Sequence, residues 1–194
     1  MAKIPNIDTK FLIDLLVKLL NTPSPTGYTD QAVALIEEAM AGFADIELRR
    51  TRKGALVATW NGESNESARG LTAHVDTLGA MVKEIKEKKE AGRLKLTAIG
   101  GFAWNTVEGE GCTVFTSKGE QVRGTILLTT ASGHVHAAKV NETKRTDDTM
   151  EVRLDAITSS EKETRALGIE VGDFVAFDPR VEVNNGFIRS RHLD

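Results

Sequence analysis

Gly70-Leu-Thr-Ala-His-Val-Asp-Thr-Leu-Gly79 is the stretch of sequence that decides the fold. Its small and apolar residues up to Val75 predict a strand in the middle of a sheet. Alternation along that strand places His74 and Asp76 on the same side, at its carboxyl end. The last stretch, Gly186-Phe-Ile-Arg-Ser-Arg-His-Leu-Asp194, predicts another strand that ends in an acidic residue. In open α/β sheets, ligands bind outside the carboxyl ends of the strands. The two strand ends together therefore predict a ligand-binding site.

The side chains at these two strand ends are of types that bind first-row metals. His74 can bind a metal through one ring nitrogen while Asp76 accepts a hydrogen bond from the other nitrogen. A hydrogen-bonded histidine at a strand end is the alternative interpretation. Asp194 can bridge two metals because a carboxylate has two oxygens, although a solvated chain end is the alternative there. His192 is a weaker candidate ligand near the same end of the chain.

Two other groups of residues compete for a site. His134-Val-His136 lies in a predicted strand, where histidines two positions apart can chelate one ion. No acidic or cysteine partner lies close to it in sequence, so surface histidines are the alternative. Glu37 and Glu38 are neighbours on a predicted helix and point about 100° apart. They therefore favour a solvated helix face over a single carboxylate site.

The composition excludes several function classes. With 194 residues, of which 40% are apolar, the chain has room for one large domain or two small ones. A net charge of −3 gives no electrostatic reason to expect a nucleic-acid partner. The single cysteine excludes an internal disulfide and a cysteine-rich zinc site, and it fits a reducing compartment. No signal peptide and no membrane-spanning apolar run is recognisable, so we predict a cytoplasmic protein without a membrane partner.

Hydrophobic patterns predict an α/β fold interrupted by a β-rich block. The first part contains helices at 8–20 and 30–40, followed by strands at 46–50, 55–60 and 70–75. The block that follows has short strands at 94–99, 111–116, 121–129, 134–140, 150–157 and 174–177, with one helix that begins after Ser160. Short strands at regular spacing predict a small closed barrel or a sandwich. We therefore predict one domain from residues 1–79 and 184–194, and a β-rich insert at residues 80–183.

Four segments carry a resemblance to a known family. They are Asn21-Thr-Pro-Ser-Pro-Thr-Gly27, Ala73-His-Val-Asp-Thr-Leu-Gly79, Ala166-Leu-Gly-Ile-Glu-Val-Gly-Asp173 and Ser190-Arg-His-Leu-Asp194. Together they span nearly the whole chain, and their order is that of the family. The chain resembles the amino-terminal half of the tetrahedral aminopeptidases. These are di-metal exopeptidases that include glutamyl and deblocking aminopeptidases, and some members have been labelled endoglucanases.

The resemblance implies a partial zinc-peptidase-like α/β/α catalytic domain that is interrupted by a β-barrel-like dimerisation insert. It implies peptide substrates, two divalent metal ions (zinc or cobalt) and homo-oligomers that build from dimers towards dodecamers. His74 and Asp194 are then the metal ligands, with Asp194 bridging both ions. Asp76 belongs to the catalytic machinery as the support of His74.

The resemblance also implies ligands that this sequence does not supply. The family has a Glu-Glu pair, a further carboxylate and a second histidine downstream of Asp194. Glu37-Glu38 precedes His74 and does not match that pair. We therefore predict a member of an aminopeptidase family that is inactive alone, with its metals absent or partial. A non-catalytic oligomerisation module is one alternative. A glycosidase is another alternative. It needs two carboxylates about 5–10 Å apart, and the sequence indicates no such pair.

Overall fold

The computed structural model describes residues 6–64 and 66–193. These residues form two compact units. The first, called the α/β unit here, contains the described residues of segments 6–24, 28–76 and 179–193. The second, called the barrel unit, contains residues 25–27 and 77–178. The predicted domain limits, 1–79 with 184–194 and 80–183, stay a prediction.

The α/β unit is built from two helices and two hairpins. Its elements are α1 (Thr9–Leu20), α2 (Asp30–Met40), β1 (Ile46–Arg50), β2 (Leu56–Trp60), β9 (Glu182–Asn184) and β10 (Phe187–Arg189). Asp8 begins α1 by accepting a hydrogen bond from the Phe11 N–H at 2.9 Å, which satisfies one of the free donors of the first turn. Strands β1 and β2 pair antiparallel, and so do β9 and β10. The Asn185-Gly186 turn between β9 and β10 has positive φ at both residues, as a two-residue hairpin turn requires.

The barrel unit is a closed six-stranded antiparallel barrel. Its elements are β3 (Gly79–Ile85), β4 (Arg93–Ile99), β5 (Gly111–Phe115), β6 (Gln121–Leu128), α3 (Gly133–His136), α4 (Lys139–Glu142), β7 (Met150–Leu154), α5 (Glu161–Ala166) and β8 (Phe174–Phe177). The strand order is β3-β4-β7-β6-β5-β8, and β8 pairs with β3 to close the ring. Closure leaves no unpaired strand edge in the barrel.

Alternating apolar residues fill the barrel interior. On β6 and β7 the buried positions include Ile126, Leu128, Met150 and Val152, each with 1% exposure or less. Burying one such side chain contributes roughly 1.5–3 kcal/mol, so these alternating faces supply much of the driving force for closure. An aromatic cluster adds Phe102, Trp104 and Phe177, whose ring centroids lie 5.0–6.5 Å apart in edge-on contacts.

The α/β class with a β-barrel is confirmed, and most elements begin and end within a residue or two of the predicted limits. Two predicted strands are wrong. Residues 70–75 form no strand, and Leu71 is fully exposed. Residues 134–140 form α3 and α4 instead, and Val135 is 73% exposed. The apparent alternation there does not mark a buried face.

Among the described residues, no helix has both the length and the apolar character that crossing a membrane would need.

Candidate functional site

His74 and Asp76 lie together in the α/β unit, and their contact has a defined chemistry. The Nδ1 atom of His74 is 3.1 Å from the backbone carbonyl oxygen of Asp76 and 3.2 Å from its carboxylate Oδ1. Both oxygens can only accept a hydrogen bond, so the Nδ1 atom carries the proton. In the neutral ring the lone pair is then on Nε2, which is the form in which an imidazole binds a metal.

The two side chains are accessible. The His74 side chain is 63% exposed, and the Asp76 side chain is 36% exposed. An exposed imidazole gains little from burial, so its direction depends on the two hydrogen-bond acceptors of Asp76. Histidine ligands in metalloproteins are commonly oriented in this way, by a carboxylate or a carbonyl on the nitrogen that does not bind the metal.

The backbone that carries this pair is not part of a sheet. The predicted strand would have aimed both residues by its pleat, and the structure instead places them in a non-repetitive segment before β3. The next residue, Thr77, lies in the barrel unit, where its carbonyl oxygen accepts a hydrogen bond from the Thr26 N–H at 3.3 Å. The sequence did not predict this contact. It indicated Pro25-Thr-Gly27 only as part of a break between two helices.

Asp194 lies outside the described residues, so its predicted role as a bridging ligand stays a prediction. The segment before it is tied to Pro179. The Pro179 carbonyl oxygen accepts hydrogen bonds from the Ser190 hydroxyl at 2.9 Å and from the Arg191 N–H at 2.8 Å. His192 follows in this segment and is half-buried.

The structure does not support a metal site at the second histidine pair, His134 and His136. His134 and His136 lie in α3, a helix of one turn, and not in a strand. Residues two apart on a helix point about 200° apart around its axis, so they do not converge on one ion. The two residues therefore do not form the chelating pair that a strand would allow, and the alternative of surface histidines fits their place in α3.

Glu37 and Glu38 pair with two different cations. The carboxylate of Glu37 accepts hydrogen bonds from Arg50, with Nη2 at 2.6 Å, and Glu38 lies 3.7 Å from the Lys18 ammonium. The two carboxylates thus serve separate surface contacts, which supports the interpretation of a solvated helix face.

The described residues do not form a complete metal site. Within residues 6–64 and 66–193, no group of three or more His, Cys, Asp or Glu side chains is arranged to hold a metal ion. A catalytic metal usually has at least three protein ligands. The His74 ring fits one ligand position, and the described residues do not complete the site.

Cys112 does not contribute to a site. It is fully buried in the barrel on β5, and burial raises the pKa of its thiol from 9.0 to about 12. A thiol is a metal ligand or a nucleophile only as the thiolate, so this side chain stays inert near neutral pH.

Sequence comparison identifies relatives of the chain. The family model described as M42 glutamyl aminopeptidase matches residues 54–194. The putative aminopeptidase YhfE of Bacillus subtilis (strain 168) is 48% identical over 183 residues, which cover 94% of this chain and 51% of that protein.

Solved structures show the same fold. Aminopeptidase APDkam598 from the archaeon Desulfurococcus kamchatkensis superposes with a TM-score of 0.76 at 27% identity, and the match covers 91% of this chain and 45% of that one. The TET1 peptidase of Pyrococcus horikoshii, which can assemble into a tetrahedron or a large octahedral shell, matches with a TM-score of 0.64 at 22% identity, covering 90% and 49%. The chain thus spans about half the length of the relatives it matches.

Proposed function

We propose, because this chain belongs to the M42 glutamyl aminopeptidase family, that it forms part of a metal-dependent aminopeptidase. Its reaction is the hydrolysis of amino-terminal residues from peptides. The observation that carries the proposal is the family match over residues 54–194, a range that contains His74, Asp76 and Asp194. The contact between His74 and Asp76 supports it, because it leaves the Nε2 atom of the ring able to bind metal.

The residues have separate roles in this proposal. His74 holds one divalent ion through Nε2, and Asp76 keeps the ring turned and in the correct tautomer. Asp194 would supply a carboxylate ligand to the metal ions, zinc or cobalt. When bound, the ions would supply an activated water and stabilise negative charge on the scissile carbonyl.

We expect the polypeptide alone to bind metal weakly and to lack aminopeptidase activity. The reason is that no third candidate ligand lies beside His74 and Asp76 among the described residues. A non-catalytic assembly module is therefore the second candidate function, and the intact closed barrel favours it.

Assembly is the other part of the proposal. We infer that the barrel unit mediates association between copies of the chain, as a step towards a larger shell. The support comes from the relative of Pyrococcus horikoshii, which assembles into a tetrahedron or an octahedral shell.

A chimera tests the catalytic proposal most sharply. The corresponding half of YhfE, which is 48% identical, would be replaced by this chain. We expect the chimera to release amino-terminal residues from aminoacyl p-nitroanilides when zinc or cobalt is added. The variant His74→Ala should abolish this activity, while His134→Ala, the matched change of an exposed histidine, should not alter it.

The possible results separate the two candidate functions. A folded chimera without activity, or a His74→Ala variant that keeps it, contradicts the proposed catalytic role. Inactivity of the folded chimera together with retained self-association would favour the assembly module.

A further inference from the structure

Asparagine followed by glycine occurs twice in the chain, at Asn61-Gly62 and at Asn185-Gly186. In this dipeptide an asparagine side chain reacts readily with the backbone, because glycine has no Cβ atom to shield its nitrogen. Both pairs lie in the α/β unit, and all four residues are exposed. Residue type and exposure therefore do not distinguish the two pairs, whereas the conformation of the backbone does.

The reaction has a strict geometric requirement. The glycine nitrogen bonds to the carboxamide carbon of the asparagine side chain, and the carbon–nitrogen bond of that carboxamide breaks. Ammonia leaves and carries away the proton of the glycine N–H. The product is a five-membered cyclic imide, which water opens to aspartate or isoaspartate. Ring closure requires the glycine nitrogen and the asparagine Cβ atom to lie on the same side of the Cα–C bond.

The Asn185-Gly186 pair is held in an unreactive conformation. It forms the turn between β9 and β10, with φ +48° at Asn185 and φ +81° at Gly186. In this left-handed region ψ is about +30 to +60°, which turns the following nitrogen to the side of the Cα–C bond opposite the Cβ atom. The pairing of Asn184 with Phe187 closes the hairpin around the turn. Asn185 therefore reacts only after the turn opens.

The Asn61-Gly62 pair is not restrained in this way. It follows β2 in a non-repetitive segment, and neither residue has a positive φ. Within the described parts of the chain, the Gly62 N–H donates no backbone hydrogen bond. A Cβ atom placed at Gly62 would lie 3.9 Å from its nearest neighbour, the Ser64 carbonyl oxygen, so the surroundings are open. Asn61 can therefore reach the reactive geometry without opening a hairpin turn.

We propose that Asn61 is a site of spontaneous deamidation and that the hairpin turn protects Asn185 from the same reaction. The overall change consumes one water molecule and releases one ammonia, so no enzyme or cofactor takes part. The neutral carboxamide at position 61 becomes a carboxylate, and the isoaspartate product also lengthens the backbone by one carbon atom. The proposal does not depend on the metal-binding role of His74.

The new carboxylate enters an acidic part of the α/β unit. Asn61 lines a groove together with Asp45 and Glu47. Asp45 precedes Ile46, the residue that pairs with Trp60 at the open end of the β1–β2 hairpin, and Asn61 follows Trp60. Like charges at facing positions of paired strands are destabilising. Deamidation therefore weakens the open end of this hairpin.

The test compares the two asparagines in the purified full chain. The native protein and the urea-unfolded protein are incubated in mildly alkaline buffer and digested at intervals, and fragment mass spectra assign each deamidation to its residue. Isoaspartate is identified by methylation with an isoaspartyl methyltransferase. The variant Gly62→Ala places a Cβ atom beside the attacking nitrogen, and the open surroundings of Gly62 accommodate it. In this variant Asn185-Gly186 serves as an internal reference.

We expect Asn61 to deamidate roughly tenfold faster than Asn185 in the native chain, because a local opening that costs only about 1.4 kcal/mol already has this effect. In urea the two rates should converge, and Gly62→Ala should slow the reaction at Asn61 alone. Equal rates in the native chain, or a faster reaction at Asn185, would overturn the inference. A difference of the same size in urea would assign it to neighbouring residues in sequence and would overturn the inference as well.

Discussion

At the scale of single residues, Asp76 acts on His74 twice, through its carbonyl oxygen and its carboxylate. The carboxylate lies 3.2 Å from Nδ1 and also adds negative charge beside the ring. A negative charge there makes the Nε2 lone pair a better donor to a cation. The carboxylate and the carbonyl therefore contribute separately to any metal that His74 binds.

Replacing Asp76 by Ala should weaken metal binding without removing it. We expect roughly a tenfold loss of zinc affinity, the lower end of the usual range for such supporting groups, because the backbone carbonyl remains in place. Competitive titration against a zinc-sensitive dye measures this effect. Asp155→Ala, which removes a carboxylate in the barrel unit, is the control. Equal affinities for Asp76→Ala and the wild type would show that the carboxylate does not support the ligand.

Cys112 should resist thiol reagents in the folded protein. Burial raises the pKa of its thiol to about 12, so hardly any thiolate exists at pH 8 in the native state. We expect labelling with iodoacetamide to be negligible until the chain is unfolded in urea, where reaction should be rapid. Intact mass spectrometry follows the labelling, and fast modification of the native chain would contradict the burial of this residue.

The candidate site was partly visible from residues alone. The His74-Val-Asp76 spacing drew attention to the pair, although the strand alternation on which that prediction rested is not formed. The contact of Thr26 with Thr77 could not be predicted, because it depends on the closed barrel bringing residues 51 positions apart in sequence together. The role of Asp194 rests on the family resemblance and stays a prediction.

At the scale of elements, a buried carboxylate joins three strands of the barrel. Glu151 on β7 has no exposed side-chain surface, and it binds Lys86 at 2.7 Å and Arg93. Lys86 follows β3, and Arg93 begins β4. A buried charge that loses its partners costs several kcal/mol of free energy. This cluster therefore stabilises the register of the three strands.

Removing that carboxylate should destabilise the barrel strongly. We expect Glu151→Ala to lower the free energy of unfolding by about 3 kcal/mol, because two cations lose their buried partner. Urea unfolding followed by tryptophan fluorescence gives the value. Asp148→Asn breaks the pair between exposed Asp148 and half-buried Lys95 and should leave the unfolding midpoint nearly unchanged. Equal effects of the two substitutions would show that burial does not set the strength of the Glu151 cluster.

The same scale shows why one strand escaped prediction. Strand β3 carries buried Val82 and Ile85, which are three positions apart and break strict alternation. The register shifts between Val82 and Glu84, so a bulge turns the strand and brings Ile85 to the inside. A pattern of period two cannot reveal a strand that contains a bulge. Strands without one, such as β6, followed the predicted alternation.

At the scale of the whole molecule, the α/β unit carries large apolar side chains on its surface. Exposed examples include Phe11 (48%), Trp60 (76%), Leu71 (100%) and Phe187 (79%). Exposed apolar surface of this kind favours association with other polypeptide surfaces. We expect a homo-oligomer from the family relationship, and these residues add a second contact surface to the one that we propose for the barrel unit.

Sedimentation velocity tests this expectation. We predict that the chain sediments as a dimer or a larger species at micromolar concentration. Trp60→Ser should shift the distribution towards smaller species if the exposed indole takes part in association, and it should leave the circular dichroism spectrum unchanged. A single monomeric species over the whole concentration range would contradict the proposed assembly.

The most direct test of the central claim, that His74 is a metal ligand supported by Asp76, is a zinc-binding titration of the purified chain by isothermal calorimetry. The wild type and His134→Ala should bind zinc with the same affinity, and His74→Ala should lose at least tenfold. Equal zinc affinities for His74→Ala and the wild type would contradict the claim.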